Sequence, residues 1–379
     1  MRVGVPNQGP AGETRVALTP DVVRRLVQRK LEVVVESGAG EGSHVPDATF
    51  EEAGARIGSG ADAWGADVVA VVRAPSGEEA GRLQRGAVVI GFLNPLVDAD
   101  TARALASAGA TSFAMEAIPR ITRAQSMDAL SSQATVAGYR AALLAAEGMD
   151  RFFPMLTTAA GTIKPATVLV LGAGVAGLQA IATARRLGAV VTGYDVREAV
   201  REQVESLGAR FLVLDVEADA EGAGGYAKEL GEEQQRRQQA AMAEAIGRFD
   251  VVISTAAVPG RRAPVLVTEE AVQKMKPGSV IVDLAAATGG NCALTEPGQT
   301  VVRHDVKIVA PLDLPSEMPD HASQLYARNV QSLLELMVSD EGQLELNWED
   351  EILAGACITR DGEIVHEGAK QAAGAPAAG

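Results

Sequence analysis

The sequence predicts an α/β protein with two domains, each built on a mostly parallel, doubly wound sheet with helices on both faces. The chain has 379 residues, which at roughly 150 residues per domain favours two domains. Short β-like runs alternate with helical stretches in two separate series, 2–115 and 168–310. This alternation is typical of parallel sheets, because each parallel connection needs a crossover. A glycine-rich turn after the first strand of the second series supports the same class.

The first series predicts five strands, at 2–5, 31–36, 67–72, 87–92 and 111–115. Helices are predicted between them, at 20–29, 49–55, 78–83 and 98–108. An Ala-rich stretch without proline follows at 126–147 and predicts a helix long enough to connect two domains.

The second series predicts strands at 168–171, 190–194, 210–213, 250–254, 279–283 and 307–310. Residues 216–231 are Gly-rich and acidic, which is typical of a mobile functional loop or of disorder. Further helices are predicted at 316–338, a second long one, and at 348–352. The Ala-, Gly- and Pro-rich residues 368–379 are typical of a linker.

Composition excludes several classes of function. The chain carries 34 Lys and Arg against 49 Asp and Glu, a net charge of −15. Nucleic-acid proteins and membrane-surface binders need basic patches, so neither class fits. The two cysteines, Cys292 and Cys357, form no CxxC pair, which argues against a zinc site or a disulfide framework and fits a reducing compartment. We expect no metal site and no membrane span, because glycines interrupt the longest apolar stretch, 168–184.

The glycine-rich turn has the pattern G-x-G-x-x-G, and its context strengthens an otherwise weak motif. It comprises Gly172, Ala173, Gly174, Val175, Ala176 and Gly177. A predicted strand precedes it and a predicted helix follows. In this Rossmann fingerprint the first glycine allows a tight turn and the second lets the backbone approach a pyrophosphate at the helix N-terminus. The third allows close packing of helix on strand.

An acidic residue stands where the fingerprint expects one, at the end of the second strand. Asp195 follows the first glycine by about 20 residues and would accept hydrogen bonds from the ribose hydroxyls of NAD. It would repel the 2′-phosphate of NADP, so NAD is favoured. Arg197 weakens this preference slightly, because an arginine can pair with a phosphate.

One segment identifies a family. Residues 119–133, PRITRAQSMDALSSQ, resemble the signature loop of the NAD(H)-binding component (domain I, the alpha-1 subunit) of proton-translocating nicotinamide nucleotide transhydrogenase. Similar segments occur at 13–20, 153–162, 258–264, 282–285 and 289–292. The resemblance covers nearly the whole chain, and alanine dehydrogenase belongs to the same superfamily.

The resemblance implies a layout and a set of partners. The first domain would be discontinuous, 1–125 with 330–379, and the NAD(H)-binding Rossmann domain would be 126–329. Two long helices would join them across a deep cleft. The chain would be a homodimer on the cytoplasmic face of the membrane. It would act with a membrane-spanning alpha-2 subunit and an NADP(H)-binding beta subunit as a Re/Si-specific NAD(P)⁺ transhydrogenase, coupling direct hydride transfer from NADH to NADP⁺ with proton translocation.

The resemblance also implies a nicotinamide site, formed by Arg120, Gln125, Asp128 and Ser131. Hydride transfer needs no general base, because the nicotinamide carries the hydride, so these residues would orient it. Gln125 and Ser131 can bond a carboxamide, and Arg120 can pair with Asp128. The alternative is an ordinary helix start capped by Ser126.

Further residues complete the predicted set. Tyr226, in the Gly-rich segment, would close over bound NAD(H); the alternative is a solvated tyrosine. Arg15 has a counterpart that binds the substrate carboxylate in alanine dehydrogenase, but a structural ion pair is an equally good interpretation here. Cys292 is interpreted as a packing residue rather than a nucleophile. The predicted cofactor contacts also include Val196, Ala256, Ala257 and Val258.

Two departures separate this chain from alanine dehydrogenases. Those enzymes place a His where this chain has Asn94, and an Asp within the stretch that here reads Ala285-Ala286-Ala287-Thr288. Forming an imine from pyruvate and ammonia needs such an acid–base pair. An amino-acid dehydrogenase therefore remains the second hypothesis. A third, a non-enzymatic NAD-responsive binding subunit, is disfavoured by the intact 120–131 loop.

Overall fold

The computed structural model describes residues 1–214, 232–258 and 260–374. It divides into two compact units. The first unit comprises Met1–Gln133 and Ser316–Gly379, and the second unit is Ala134–Pro315. Pro259 and the predicted loop 216–231, with Tyr226, lie outside the described residues.

The described strands are β1 (Arg2–Val5), β2 (Glu32–Glu36), β3 (Arg56–Gly58), β4 (Val68–Ala70), β5 (Val88–Gly91), β6 (Thr111–Ala114), β7 (Leu156–Thr158), β8 (Gly161–Ile163), β9 (Thr167–Leu171), β10 (Val190–Tyr194), β11 (Arg210–Phe211), β12 (Val251–Ser254), β13 (Val280–Asp283), β14 (Thr300–Arg303), β15 (Val306–Val309), β16 (Cys357–Arg360) and β17 (Glu363–Ile364).

The described α-helices are α1 (Pro20–Gln28), α2 (Asp47–Glu52), α3 (Gly60–Trp64), α4 (Gly77–Ala80), α5 (Ala99–Ser107), α6 (Ala129–Gly148), α7 (Val175–Arg186), α8 (Arg201–Ser206), α9 (Glu232–Ile246), α10 (Glu269–Lys274), α11 (Pro319–Leu334), α12 (Glu351–Ala356) and α13 (Glu367–Gly374). Over the parts of the chain that the structure covers, no helix is both long and apolar enough to span a bilayer.

The first unit contains an eight-stranded sheet in the order β17-β16-β6-β5-β4-β1-β2-β3. Its six N-terminal strands are parallel and doubly wound, in the Rossmann order 3-2-1-4-5-6. The last two strands extend it antiparallel at the edge of β6. The inner strands are continuous apolar runs because helices cover both faces, and Val33, Ile90 and Phe113 are buried in its core.

The second unit repeats this order. Its seven-stranded sheet runs β11-β10-β9-β12-β13-β15-β14, parallel except for the edge strand β14. Counted from β9, the parallel strands again follow 3-2-1-4-5-6. Val170, Ile253 and Val282 are fully buried at its centre. The predicted class, two Rossmann-like α/β domains, is therefore confirmed.

Details at the ends of the elements differ from the expectation. Residues 126–133 and 316–329, which were predicted to lie in the second domain, belong to the first unit. The reason is packing, since α11 buries Tyr326, Val330 and Leu333 in the first unit's core. The hairpin β7–β8 was not predicted. The 368–379 linker prediction is wrong over 368–374, where α13 forms and buries Ala369.

Candidate functional site

The glycine turn lies at the carboxyl edge of the second unit's sheet, where β9 and β12 separate. Ligands of doubly wound sheets bind at such a switch point. Gly172 has φ +95°, and a Cβ there would lie 2.7 Å from Thr255 Oγ1. Only glycine therefore allows the chain to leave β9 in this direction.

The other two glycines differ in what surrounds them. A Cβ at Gly177 would lie 1.8 Å from the Gly172 carbonyl oxygen, so this glycine permits the close packing of α7 on the turn. A Cβ at Gly174, by contrast, would meet no heavy atom within 4 Å. Gly174 is also the N-cap of α7, with extended backbone. An open backbone at a helix N-terminus fits the pyrophosphate of a dinucleotide.

Asp195 closes this turn on its other side. Its Oδ2 accepts hydrogen bonds from Ala173 N at 2.8 Å and from Arg197 Nη2 at 3.0 Å. Its Oδ1 accepts from the backbone N and the Nε of Arg197, both at 2.9 Å. Burial raises the pKa of Asp195, but these hydrogen bonds outweigh it and hold the pKa below its usual value.

The paired arrangement refines the sequence prediction. About four acceptor positions exist on a carboxylate, and Arg197 takes three of them. A ribose hydroxyl must therefore share or displace a bond from Arg197. Val196, between the two, is partly buried against the core.

Ala256, predicted as a cofactor contact, is held by a residue that was not among the predicted ones. Asn291 is fully buried. Its Nδ2 donates to the carbonyls of Ala256 and Pro264, both at 2.8 Å, and its Oδ1 accepts from Ala256 N at 3.1 Å. Asn291 therefore fixes the backbone that leaves β12. A polar residue directly after Gly289-Gly290 was the available signal.

The signature loop lies in the first unit. Arg120 and Gln125 are exposed, and Gln125 belongs to a 3-10 helix, Thr122–Met127. Asp128 directly precedes α6 and accepts from Ser131 N at 2.8 Å and from Ser131 Oγ at 2.6 Å. The helix start is thus capped by Asp128 rather than by Ser126. The structure brings Asp128 and Ser131 together.

Arg15 is part of an internal ion pair. Its Nε and Nη2 donate to the two carboxylate oxygens of Glu13 at 2.7 and 2.9 Å, and its Nη1 donates to Gln133 Oε1 at 3.0 Å. All three residues are buried. A guanidinium engaged in this way supports the structural interpretation over a substrate-carboxylate site.

The positions where alanine dehydrogenases carry an acid and a base hold no titratable side chain. Asn94 adopts a left-handed turn with φ +49°. Its backbone N–H donates to Glu116. Residues 285–288 form a short turn with a 3-10 helix, Ala286–Thr288, in which Ala285 and Ala286 are buried.

The remaining candidates for chemistry are inert. Burial raises the pKa of both Cys292 and Cys357 to about 11, so neither thiol ionises near neutrality. Cys292 is thus a packing residue. Within the described ranges, no group of three or more His, Cys, Asp or Glu side chains could hold a metal ion.

Comparisons with known proteins agree with this geometry. Family models described as "Alanine dehydrogenase/PNT", N-terminal and C-terminal domain, match residues 4–137 and 141–367. The first of the separately encoded parts of NAD(P) transhydrogenase subunit alpha in Rhodospirillum rubrum is 50% identical over 376 residues, 97% of this chain and 98% of that protein. Alanine dehydrogenase of Mycobacterium tuberculosis is 32% identical over 377 residues, 97% of this chain and 95% of that one. The crystal structure of transhydrogenase from Sinorhizobium meliloti superposes with a TM-score of 0.85 at 45% identity, covering 97% and 99% of the two chains.

Proposed function

Because the chain belongs to the alanine dehydrogenase/PNT family, we propose that it is the NAD(H)-binding component of a proton-translocating transhydrogenase. It would exchange a hydride directly between its own NAD(H) and NADP(H) held on a partner subunit. The observation that carries the proposal is a glycine turn built for a dinucleotide, in a chain whose positions 94 and 285–288 lack an acid–base pair. A nicotinamide can exchange a hydride without such a pair, whereas an amino acid cannot be oxidised to an imine without one.

The second unit would bind the adenine half of the cofactor. The pyrophosphate would lie at Gly174 and Val175, on the N-terminus of α7, where backbone N–H groups and the helix dipole favour negative charge. Asp195 would accept from the ribose hydroxyls. The contacts would be completed by Ala173, Ala176, Val196, Arg197, Ala256, Ala257 and Val258, and by Tyr226.

The signature loop of the first unit would orient the nicotinamide. Gln125 and Ser131 would bond its carboxamide, while Asp128 holds Ser131 and Arg120 supplies a positive charge. Hydride transfer is steeply sensitive to placement, because the reacting atoms must come within about 3–3.5 Å. Gln125→Asn should therefore slow transfer far more than it weakens NADH binding.

The partners follow from the same proposal. A membrane-spanning alpha-2 subunit and an NADP(H)-binding beta subunit would complete the enzyme and couple transfer to proton translocation. The chain would be a homodimer, peripheral on the cytoplasmic face of the membrane.

Three mixtures test the reaction. Pure protein is incubated with NADH and pyruvate plus ammonium, with deuterium-labelled NADH and NADP⁺, and with the latter pair plus the NADP(H)-binding component of a transhydrogenase. We expect deuterated NADPH, measured by mass spectrometry, only in the third mixture. Turnover of pyruvate in the first would favour the alanine dehydrogenase alternative, and no transfer in the third would contradict the proposal.

A further inference from the structure

The direction of the Gln125 side chain depends on the backbone that carries it. Gln125 is exposed, on the 3-10 helix Thr122–Met127. Among the residues that the structure describes, none forms a hydrogen bond with its amide group. Whatever fixes this helix therefore also fixes where the amide points.

A buried asparagine from another part of the chain fixes it. Asn329 on α11 is 8% exposed. Its Nδ2 donates to the carbonyl of Ser126 at 2.8 Å, and its Oδ1 accepts from Ser132 Oγ at 2.7 Å. One amide thus joins the residue next to Gln125 to the first turn of α6.

A second tie on the same segment is weaker. Arg123 donates to both carboxylate oxygens of Asp350, at 2.7 and 3.0 Å. The Arg123 side chain is 50% exposed, and exposed ion pairs contribute little because water competes for both groups. Buried hydrogen bonds are costlier to lose, since the partner left behind has no water to bond. The Asn329 amide is therefore the main external constraint on Ser126.

We propose that Asn329 is a positioning residue for hydride transfer, which holds the Ser126 peptide and thereby aims Gln125 at the nicotinamide. This inference rests on the proposed function. It predicts a loss in the rate of transfer with little loss in cofactor affinity, because Asn329 itself touches no part of the predicted cofactor site. A displacement of about 1 Å can slow such a step roughly 100-fold.

The test uses the isosteric variant Asn329→Asp. An aspartate keeps the acceptor for Ser132 but presents a carboxylate to the Ser126 carbonyl, so it breaks the tie without leaving a cavity. With the NADP(H)-binding component, we expect single-turnover transfer to slow by about 10- to 100-fold. The dissociation constant of NADH should change less than about threefold, because the adenine half dominates binding.

Gln331→Ala is the matched control. Gln331 lies on the same helix and is also 8% exposed, but its amide donates to Glu335 at 2.8 Å. We expect less than about a threefold change in the transfer rate. A comparable loss of rate in this control, accompanied by a comparable fall in Tm, would mean that Asn329 only stabilises α11 and would overturn the inference.

A double mutant separates this inference from the function on which it rests. If Asn329 acts through Gln125, Asn329→Ala should slow transfer by less than about threefold in a Gln125→Ala background. A full additional loss would overturn the inference. Transfer by Asn329→Asp at the wild-type rate would also overturn it, while an inactive wild-type mixture would overturn the proposed function instead.

Discussion

The two units share one strand order but differ at the point where each sheet could receive a ligand. In the second unit, the space beside Gly174 is open. In the first unit, the same position between β1 and β4 is filled by the side chain of Gln8, which is 4% exposed. Its Oε1 accepts from Val72 N at 2.8 Å and Arg73 N at 3.2 Å, and its Nε2 donates to Arg73 O at 3.0 Å.

This difference shows that strand order alone does not make a nucleotide site. A switch point separates two strands and exposes their backbone groups, which must be satisfied by a ligand, by water or by the protein. The second unit leaves room for a ligand with a glycine turn. The first unit uses the Gln8 amide instead, so we expect only the second to bind a dinucleotide through this crevice.

The largest expected effect distinguishes two glycines of the open turn. Gly177→Ala forces a Cβ against the Gly172 carbonyl, so we expect a loss of about 3 kcal/mol in stability and at least 100-fold weaker NADH binding. Gly174→Ala should leave stability within about 1 kcal/mol but weaken NADH binding roughly tenfold, because the methyl group stands where the pyrophosphate approaches. Calorimetry and thermal unfolding measure both.

Gly77→Ala in the first unit controls for the alanine itself, because its Cβ would also meet no heavy atom within 4 Å. Unchanged NADH binding by Gly174→Ala would contradict the role assigned to this turn.

A smaller effect concerns the choice of dinucleotide. The wild type should prefer NADH, and Asp195→Asn should narrow the gap to NADPH by about tenfold, because it removes the charge that repels a 2′-phosphate and releases Arg197 to pair with it. Arg197→Met should widen the gap, since the carboxylate keeps its charge and loses its partner. Titrations with both cofactors measure this, and equal wild-type affinities would refute it.

The filled crevice predicts the opposite behaviour. Gln8→Ala leaves the buried N–H groups of Val72 and Arg73 without their acceptor, so we expect a loss of about 1–2 kcal/mol in the free energy of unfolding. NADH affinity should not change. Gln84→Ala removes an exposed amide that bonds Asp67 and serves as the control, with an expected change under about 0.5 kcal/mol. A gain or loss of cofactor binding by Gln8→Ala would contradict the comparison.

The smallest effect is on pH dependence, where the two edges again differ. Burial raises the pKa of Glu116 from 4.5 to about 7, against N–H groups that include those of Leu93 and Asn94. Its contribution to stability is therefore complete below about pH 4.5 and lost as the pH rises through 7. The depressed pKa of Asp195 gives the reverse, a contribution present at neutral pH and lost in acid.

Urea unfolding at pH 5 and pH 8 checks this prediction. We expect wild-type stability to fall between them by more than that of Glu116→Gln. Equal pH dependence of the two proteins would remove Glu116 as the cause.

Much of the fold could be predicted from the sequence because its signals are local. Apolar runs such as 168–171 and 280–283 are buried on both faces, and the glycine turn falls between a strand and a helix. The missed elements depend on distant contacts. The assignment of α11 to the first unit depends on what Tyr326 and Val330 pack against, and no periodicity along one helix reveals that.

The candidate site divides in the same way. Gly172, Gly174, Gly177 and Asp195 stand at fixed spacings, so a motif finds them. The residues that hold the site do not, because Asn291 and Asn329 act through single hydrogen bonds to backbone groups far away in sequence. The pairing of Asp195 with Arg197 also needed side-chain geometry, since the sequence alone allowed Arg197 to face a phosphate instead.

The discontinuity of the first unit has a consequence for how the chain folds during synthesis. The second unit is contiguous and can complete its sheet as soon as residue 315 has left the ribosome. The first unit must wait, because α11 and β16 supply parts of its core and sheet that are made last. Closing such a distance is entropically costly and slow. We expect nascent chains that stop before α11 to hold a folded second unit beside an incomplete first one that is open to chaperones and proteases.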